Sequence, residues 1–330
     1  MFLSPEQQKQ WRDQGFTFKT DLFEPELINQ SVKYLHEIYQ QNKLVCRDFG
    51  SDGRLEFPCL NILDEISIHN RLICCVQELL ETKDILLTQC DTWGKERHQN
   101  GQQFSNDDQR IHMDYGNNGF LHPSKWEFPE AVSIIIYLSD ISETGGGTAL
   151  VPKNEKTQRF YNRPYLNMPG INNYPFFNDR QYAENYFQKE HPEVFSFRQN
   201  LYQHEIIPQP KKGDILFYRL DLWHRGTPVN IGKVRFVMNM VFKKKECFWI
   251  NHWNPGWTKK LYYGELEKLF IKMTPKQRSV LGIPLPGDPY WNFEKLDYLK
   301  DRYPGINVLP YIQGIIEKIS TKKKKLKLDN

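Results

Sequence analysis

Short β-like segments dominate the middle of the chain, between about residues 84 and 245. Each is rich in Ile, Val, Phe, Tyr or Trp and is bounded by Gly, Pro, Asn or Asp, which is the pattern of strands joined by turns. Helical patterns do not alternate with these segments, so a doubly wound parallel sheet does not fit. The sequence predicts a mainly β fold with flanking helices, a jelly roll with N-terminal and C-terminal helices packed outside it. The predicted strands are DILLTQCDTW, RIHMDYG, EAVSIIIYLSD, GTALVP, VFSFRQN, GDILFYRLDLWHRG and VRFVMNMVF.

Helix signals flank this β region on both sides. Near the start, Ser4 stands at an N-cap position, Pro5 at the first helical position, Gln7 completes a capping box and Gly15 marks the end of the helix. Apolar residues at helical spacing predict two further helices, one from about residue 25 and one over about 67–81. The segment TPKQRSVLG predicts another helix in the C-terminal part.

These signals indicate one domain over residues 1–320. It has a helical part at 1–83, a jelly-roll core at 84–245 and a C-terminal helical extension at 246–320. Within the core, the stretch 154–193 is too long and too rich in Asn, Tyr, Phe and Pro for an ordinary connection, and insertions of this kind are often lids.

Composition supports a globular protein with a sizeable core. Hydrophobic residues make up 39% of the 330 residues, which is ample for packing. The segment 1–10 lacks a signal-peptide pattern, and no apolar run approaches the roughly 18 residues of a membrane helix. The six cysteines show no disulfide-dense spacing, so we expect a cytoplasmic protein without a membrane span.

The formal charge of +4 lies entirely in the last ten residues. The segment 321–330 carries five lysines and one aspartate, so the rest of the chain is neutral. A lysine run of this kind is usually a solvated end, and we expect a basic, disordered tail. The neutral body argues against a nucleic-acid groove, so nucleic acid is not an expected partner except through this tail.

A histidine and an aspartate stand two residues apart in RIHMDYG. Because side chains alternate faces along a strand, His112 and Asp114 project from one face, and Ile111 and Met113 project from the other. An isolated pair of this kind is commonly a hydrogen-bonded pair in or near a core. With a second histidine from a distant strand, the two residues form a 2-His-1-carboxylate triad, which holds non-haem Fe(II) and leaves coordination positions open.

His224 is the candidate for the second histidine, because it follows the strongly apolar segment GDILFYRLDLW. Arg235 comes eleven residues later and shares a strand face with Val237, Asn239 and Val241. A guanidinium among apolar neighbours needs an anion. Taken alone, Arg235 fits an exposed salt bridge on an edge strand better than an anion site; together with the triad it indicates an anion site.

The order of these motifs resembles the phytanoyl-CoA dioxygenase family of Fe(II)- and 2-oxoglutarate-dependent oxygenases. The motifs are HxD, a buried strand, a Gly-rich turn, and GDILFY leading to a histidine with an arginine eleven residues beyond it. The opening LSPEQQKQWRDQGF is similar to the first helix of many members, and the resemblance covers roughly residues 4–245. It implies a double-stranded β-helix with Fe(II) held by His112, Asp114 and His224. It further implies that Arg235 binds the distal carboxylate of 2-oxoglutarate and that the Ser133 hydroxyl contacts this cosubstrate.

The resemblance also implies an activity. The expected enzyme uses O2, is stimulated by ascorbate and hydroxylates a small or medium-sized organic molecule while 2-oxoglutarate is decarboxylated to succinate and CO2. Halogenating relatives carry a small residue in place of the carboxylate ligand, so Asp114 disfavours that chemistry. Two alternatives stay open at this point. One is an oxygenase acting on a nucleic-acid base or a protein side chain, and the other is a non-catalytic jelly-roll binding module.

Overall fold

The computed structural model describes residues 1–41, 54–97, 107–114, 129–158, 178–247 and 265–328. The strands in these ranges form a six-stranded sheet in the order β1-β6-β4-β8-β3-β2 and a pair of β5 with β7. All neighbouring strands are antiparallel. The strands are β1 (Phe16–Lys19), β2 (Leu55–Glu56), β3 (Ile85–Glu96), β4 (Ala131–Tyr137), β5 (Thr148–Leu150), β6 (Ile215–Tyr218), β7 (His224–Gly226) and β8 (Val234–Lys244).

Isolated bridges widen the smaller sheet on both sides. Leu150 of β5 bridges to Ile206, and His224 of β7 bridges to His112. The inner faces of the two sheets share one hydrophobic cluster, in which Leu150 from the small sheet packs with Tyr137 and Val237 from the large one. Two antiparallel sheets that enclose a common core form the predicted jelly roll, so the fold prediction is confirmed.

Helices cover the outer face of the large sheet. Because β4 is buried on both faces, its alternate residues Val132, Ile134 and Ile136 face the helices and join one cluster with Leu72 and Val76 of α4. Residues of the C-terminal helices belong to the same cluster. The helices are α1 (Pro5–Gln14), α2 (Pro25–Gln40), α3 (Leu63–Ser67), α4 (Asn70–Leu80), α5 (Ile141–Thr144), α6 (Arg180–Glu190), α7 (Pro192–Gln203), α8 (Glu265–Lys272), α9 (Pro275–Ser279), α10 (Phe293–Arg302) and α11 (Leu309–Leu328).

The N-terminal helix forms as its sequence signals predict. The Ser4 side chain accepts a hydrogen bond from Gln7 N, and the Gln7 side chain bonds back to the Ser4 backbone, which completes the capping box. Gly15 ends the helix with φ of 89°. A Cβ at this position would lie 2.8 Å from Leu222 Cδ1, so the turn requires glycine both for its conformation and for the close approach of the chain that leads to His224.

Two predicted strands have a different structure. VFSFRQN belongs to α7, not to a strand. Pro192 begins this helix, and Val194, Arg198 and Leu201 are its buried residues, a helical spacing that overrides the β-propensity of Val and Phe. RIHMDYG forms one isolated bridge, from His112 to His224, instead of a continuous ladder, and Asp114 stands at a bend; its residues beyond 114 lie outside the described ranges.

Two further segments, the expected lid 154–193 and the expected disordered tail 321–330, are partly helical. The proposed lid 154–193 includes all of α6, and residues 159–177 lie outside the described part of the chain. α11 runs to Leu328 and so includes residues 321–328, for which the sequence pattern predicts a disordered tail. Lysine and leucine are good helix formers, and neither Gly nor Pro interrupts this stretch. In the described ranges, every helix is too short or too polar to cross a membrane.

Candidate metal centre

Two histidines and one aspartate converge between the two sheets. One potential ligand atom from each of His112, Asp114 and His224 lies within 4.8 Å of the other two. His112 Nε2 is 3.8 Å from Asp114 Oδ1, and His224 Nε2 is 3.5 Å from Asp114 Oδ2. The two histidines are 6% and 5% exposed. The structure therefore brings together the three residues that were selected from the sequence.

Each imidazole is held through its other nitrogen. His112 Nδ1 lies 2.9 Å from the Arg110 carbonyl oxygen, and His224 Nδ1 lies 2.9 Å from the Leu222 carbonyl oxygen. Because a carbonyl can only accept, both Nδ1 atoms carry a proton, and in the neutral imidazole the Nε2 lone pair is then directed towards the aspartate. Neutral imidazoles with a fixed tautomer are the form that metal ions bind.

Electrostatics favour the neutral state of His112. Burial holds the pKa of His112 well below its ordinary value, and the neighbouring His224 lowers this pKa further. An uncharged His112 keeps its Nε2 lone pair available over the physiological pH range.

Backbone hydrogen bonds fix the distance between the two histidine segments. His112 N donates to His224 O at 2.8 Å, and His224 N donates to His112 O at 2.9 Å. On the opposite side of the segment, Ile111 and Met113 are fully buried in a cluster with Trp223. The predicted alternation of faces is therefore present, although the segment lacks a regular ladder.

The helix pair α6–α7 holds the backbone of the segment that carries His112. Arg198 donates to the Ile111 carbonyl oxygen at 2.8 Å and to Glu184 Oε1 at 2.6 Å. The Tyr202 hydroxyl accepts from Ile111 N at 3.1 Å and donates to the same carboxylate oxygen at 2.8 Å. Both backbone groups of the residue before His112 are thus held by side chains from α7, the helix whose sequence predicts a strand.

Tyr218 is a residue of the site that was not predicted from the sequence. Its hydroxyl donates to Asp114 Oδ2 at 2.6 Å, and its ring packs edge-on against His224, with 4.9 Å between centroids. Burial raises the pKa of Tyr218 well above its ordinary value, and the Asp114 carboxylate raises this pKa further. Alternation along GDILFY places Leu216 and Tyr218 on one face of the strand, and this signal could have identified Tyr218.

Arg235 lies on the inner face of β8, with 5% of its surface exposed. Its guanidinium carbon is 4.9 Å from the centroid of the Trp93 ring. Across the ladder, Arg235 pairs with Lys95 of β3, which is also buried. Two cationic side chains at directly opposed ladder positions repel each other, so an anion bound between the sheets here would be stabilised.

A glycine turn packs closely against this arginine. Gly146 has φ of +71°, and a Cβ on it would lie 2.7 Å from Val229 Cγ2 and 3.4 Å from Arg235 Nε. Tyr137 lies close enough for the positive charge of Arg235 to lower its pKa. Burial has the larger effect and raises the pKa of Tyr137 to about 12. The Tyr137 hydroxyl donates to Thr148 Oγ1 at 3.0 Å. Neither Tyr137 nor Thr148 was predicted from the sequence.

Ser133 lies at the other end of the inner face. It pairs with Tyr218 across β4 and β6 and with Val241 across β4 and β8. Arg235 is six residues from Val241 along β8, which corresponds to about 20 Å of strand. The register therefore places Ser133 beside Tyr218, at the Asp114 end of the inner face, rather than beside Arg235.

Known structures share this fold. The chain resembles a non-haem α-ketoglutarate-dependent carbocyclase, SnoK from nogalamycin biosynthesis, with a TM-score of 0.52 and 14% identity over 75% of this chain and 87% of that one. It also resembles the epimerase SnoN in complex with Fe3+, α-ketoglutarate and nogalamycin RO, with a TM-score of 0.50 and 12% identity over 74% of this chain and 85% of that one. Neither the models of protein families nor the sequences of curated proteins give a match. At these identities the likeness shows the fold alone.

Proposed function

We propose that this jelly roll is an Fe(II)- and 2-oxoglutarate-dependent dioxygenase that hydroxylates a small or medium-sized organic molecule. The observation that carries the proposal is the convergence of two Nε2 atoms and one carboxylate within 4.8 Å in a buried position between the sheets. We further propose that the chain is a member of the phytanoyl-CoA dioxygenase family, on the motif order and the shared fold, and that residues 1–320 form a single domain.

The donor set fits iron. Two neutral imidazoles and one carboxylate form the 2-His-1-carboxylate set of non-haem Fe(II) oxygenases, which keeps coordination positions open for other ligands. Asp114 supplies the carboxylate, and Tyr218 donates to its Oδ2. This hydrogen bond orients the carboxylate, which would hold the metal together with the two imidazoles.

The other end of the inner face fits the distal carboxylate of 2-oxoglutarate. Arg235 offers a planar guanidinium, which can bind a carboxylate through two parallel hydrogen bonds. Lys95 lies opposite it in the ladder and adds positive charge. Trp93 and Gly146 limit the positions that the guanidinium can take. Tyr137 and Thr148 are the nearby hydroxyls, and we assign Ser133 to the Asp114 end of the site.

Iron with 2-oxoglutarate and O2 supplies an oxidant that inserts one oxygen atom into a C–H bond as 2-oxoglutarate is converted to succinate and CO2. The protein contributes position and environment. His112, Asp114 and His224 hold the metal; Arg235 orients the cosubstrate. Apolar residues of the inner face, among them Leu216 and Val237, keep bulk water from the reacting groups.

An anaerobic titration tests the proposal. Fe(II)-loaded protein is titrated with 2-oxoglutarate while the visible metal-to-ligand charge-transfer band is recorded, for wild type, His112→Ala, Arg235→Ala and the control His204→Ala. His204 is an exposed histidine outside the site. We expect a band in wild type and in the control, no band in His112→Ala, and at least tenfold more 2-oxoglutarate for half-saturation in Arg235→Ala. A well-folded, iron-binding wild type without a band would contradict the proposal and favour a binding module.

The reaction outcome needs a second experiment, because the similar structures include an epimerase and a carbocyclase. Succinate formation under air is measured with a panel of small organic molecules, and the products of stimulating compounds are analysed by mass. A gain of one oxygen atom supports hydroxylation, and an unchanged mass or a loss of two hydrogens contradicts it. Stimulation by an oligonucleotide or a peptide alone would favour the base or side-chain oxygenase.

A further inference from the structure

We propose that the inner face of the large sheet carries a subsite for a protonated amine of the substrate. Its acceptors are the carboxylates of Glu56 and Asp91 and the amide oxygen of Asn239, and these three residues are called the anionic subsite below. The inference rests on the proposed function and deepens it, because it names the class of substrate. Binding of an amine is nevertheless measurable without turnover.

The three residues lie side by side on β2, β3 and β8. Asp91 pairs with Glu56 on one side and with Asn239 on the other. Because directly opposed residues of antiparallel strands project from the same face, the three side chains share one face of the sheet. Trp93, two residues from Asp91 along β3, belongs to the cluster between the two sheets. By alternation, the shared face is therefore the inner one.

The carboxylates of this subsite carry negative charge that is only partly compensated. Asp91 is 4% exposed, and its Oδ2 accepts from Gln89 Nε2 at 3.0 Å and from Arg54 at 3.4 Å. Burial raises the pKa of Asp91, and this rise persists although the charge of Arg54 opposes it. Among the described residues, the pair with Arg54 is the one ion pair that Asp91 or Glu56 forms. Two carboxylates thus share one guanidinium, and a bound cation would be stabilised.

The Asn239 side chain also needs a hydrogen-bond donor. Its Oδ1 is buried, and no hydrogen-bond partner reaches this atom within the described part of the chain. A buried acceptor without a donor is unfavourable, so an N–H group placed beside Asn239 would be stabilised. Asn239 and Glu56 are half-buried rather than fully buried, so the packed core does not enclose them completely.

The anionic subsite lies on the same sheet surface as the candidate metal centre. Asn239 pairs with Ile135 of β4, and Ile135 pairs with Leu216 of β6. Two residues beyond Leu216, the Tyr218 hydroxyl donates to Asp114. Two strand spacings separate β8 from β6, which is about 10 Å. A molecule of medium size therefore spans the distance from the subsite to the metal centre.

The inner face has opposite charge at two places along β3 and β8. Lys95 and Arg235 pair with each other four residues along the strands from Asp91 and Asn239, which is about 13 Å. The positive place suits the carboxylate of a cosubstrate, and the negative place suits a cation. The two charged ligands would therefore bind apart from each other.

Other ligands match the anionic subsite less well. A neutral hydroxyl would donate to Asn239 but would leave the negative charge uncompensated. Ca²⁺ takes about six to eight oxygen ligands, whereas these three side chains offer few oxygens and Asp91 Oδ2 already accepts two hydrogen bonds. A protonated amine supplies a single positive charge and several N–H donors, so it satisfies both the carboxylates and the amide oxygen.

Ligand-observed NMR on the full-length protein tests the inference with two probes that share one apolar ring. The probes are cyclohexylmethylamine, which is a cation at pH 7, and cyclohexylmethanol, which is neutral. We expect the Kd of the amine to be at least tenfold lower than that of the alcohol. The measurement requires neither iron nor 2-oxoglutarate.

Three variants and two matched controls assign the preference to the subsite. Asp91→Asn and Glu56→Gln each remove one charge with little change of shape, and Asn239→Leu removes the amide oxygen. Asp84→Asn and Asn29→Leu change exposed residues outside the subsite. Circular dichroism establishes that all five variants are folded. We expect at least a tenfold weaker Kd of the amine in Asp91→Asn, at least threefold in Glu56→Gln and Asn239→Leu, and no change in the controls.

Equal Kd values of amine and alcohol in wild type overturn the inference. So does an amine preference that none of the three variants reduces. Binding of Ca²⁺ that is lost in Asp91→Asn, without an amine preference, would identify a metal site instead. The anaerobic charge-transfer titration is independent of these measurements. A band without an amine preference rejects the subsite alone, and an amine preference without a band rejects the oxygenase but supports the subsite.

Discussion

The Tyr218 hydroxyl lies 2.6 Å from Oδ2 of Asp114 and donates a hydrogen bond to it. The donor comes from β6 of the large sheet, whereas the acceptor belongs to the segment that bridges to the small sheet. The two sheets are therefore joined at the candidate metal centre by a short bond to a charged oxygen, which is stronger than one between neutral groups. The orientation of the carboxylate depends on this bond.

Tyr218→Phe should lower metal affinity without unfolding the protein. Groups that orient a metal ligand typically contribute about 10- to 100-fold in affinity, so we expect the Kd for Co(II) or Fe(II) to rise by that factor. The measurement is calorimetric or competitive metal titration. Tyr137→Phe is the matched control, because it removes a buried hydroxyl of the same inner face that bonds to Thr148 instead. Equal metal affinity in wild type and Tyr218→Phe would show that Asp114 is oriented without Tyr218.

Gly146→Ala should weaken 2-oxoglutarate binding. Its positive φ strains an L-residue by about 1 to 2 kcal/mol, and the new methyl group would lie 2.7 Å from Val229 Cγ2, a distance that forces the turn or Val229 to move. Because the same turn packs against Arg235, this movement should disturb the guanidinium and raise the 2-oxoglutarate concentration at half-saturation at least tenfold. Gly232→Ala is the control, since Gly232 has φ of +73° but a Cβ added there would meet nothing within 4 Å. If both variants bind 2-oxoglutarate like wild type, the contact with Arg235 does not set affinity.

Tyr202→Phe should affect stability and metal binding together. Without its hydroxyl, Ile111 N loses its acceptor and Glu184 loses a donor in a buried position, which costs about 1 to 3 kcal/mol. The backbone before His112 then loses one of its two side-chain anchors, so the Kd for Co(II) should rise as well. Urea unfolding and metal titration measure the two effects. Tyr182→Phe, an exposed tyrosine of α6, should change neither quantity.

Asp221→Asn should destabilise the turn that leads to His224. Asp221 accepts from Arg219 at 2.8 Å and from Lys153 at 2.7 Å. Burial opposes the ionisation of this carboxyl, yet the charges of Lys153 and Arg219 hold its pKa below the ordinary value. Removal of one partner from a buried ion pair costs about 3 to 5 kcal/mol, and we expect a loss of that size in the free energy of unfolding at pH 7.

The pH dependence of this loss has a definite sign. A carboxyl whose pKa is lowered by folding stabilises the protein fully above its unfolded pKa, near 3.8, and loses that contribution as the pH falls through the folded value. The difference in the free energy of unfolding between wild type and Asp221→Asn should therefore be constant from pH 7 to about 5 and should become smaller below pH 3.8. Denaturant unfolding at several pH values measures this difference. A difference that becomes smaller already between about pH 7 and 5 would contradict a lowered pKa of Asp221 in the folded protein.

Local sequence signals are sufficient for much of the fold. The capping box at Ser4 and the glycine stop at Gly15 lie within a few residues of each other, and the structure contains both. The triad was predictable because alternation constrains His112 and Asp114 to one face, and because His224 follows an apolar strand. Helix caps and the alternation of side chains along a strand are properties of short segments, so they can be read without knowledge of the tertiary structure.

What the sequence did not reveal depends on tertiary contacts. Phe and Val in VFSFRQN favour a strand, but burial of Arg198 against Glu184 and Ile111 selects a helix. Alternation along GDILFY places Tyr218 on one face with Leu216, but its hydrogen bond to Asp114 depends on the distance across the two sheets, which alternation does not specify. The place of Ser133 depends on the register of β4 with β6 and β8, and pattern alone does not determine that register.

The reciprocal backbone bridge between His112 and His224 has a consequence for synthesis of the chain. Residues 112 and 224 must both be present before the two imidazoles can face each other, so the metal centre cannot assemble until about two thirds of the 330 residues have emerged from the ribosome. A metal ion captured by this site is captured late. Its uptake reports that the two distant halves of the jelly roll have already closed on each other.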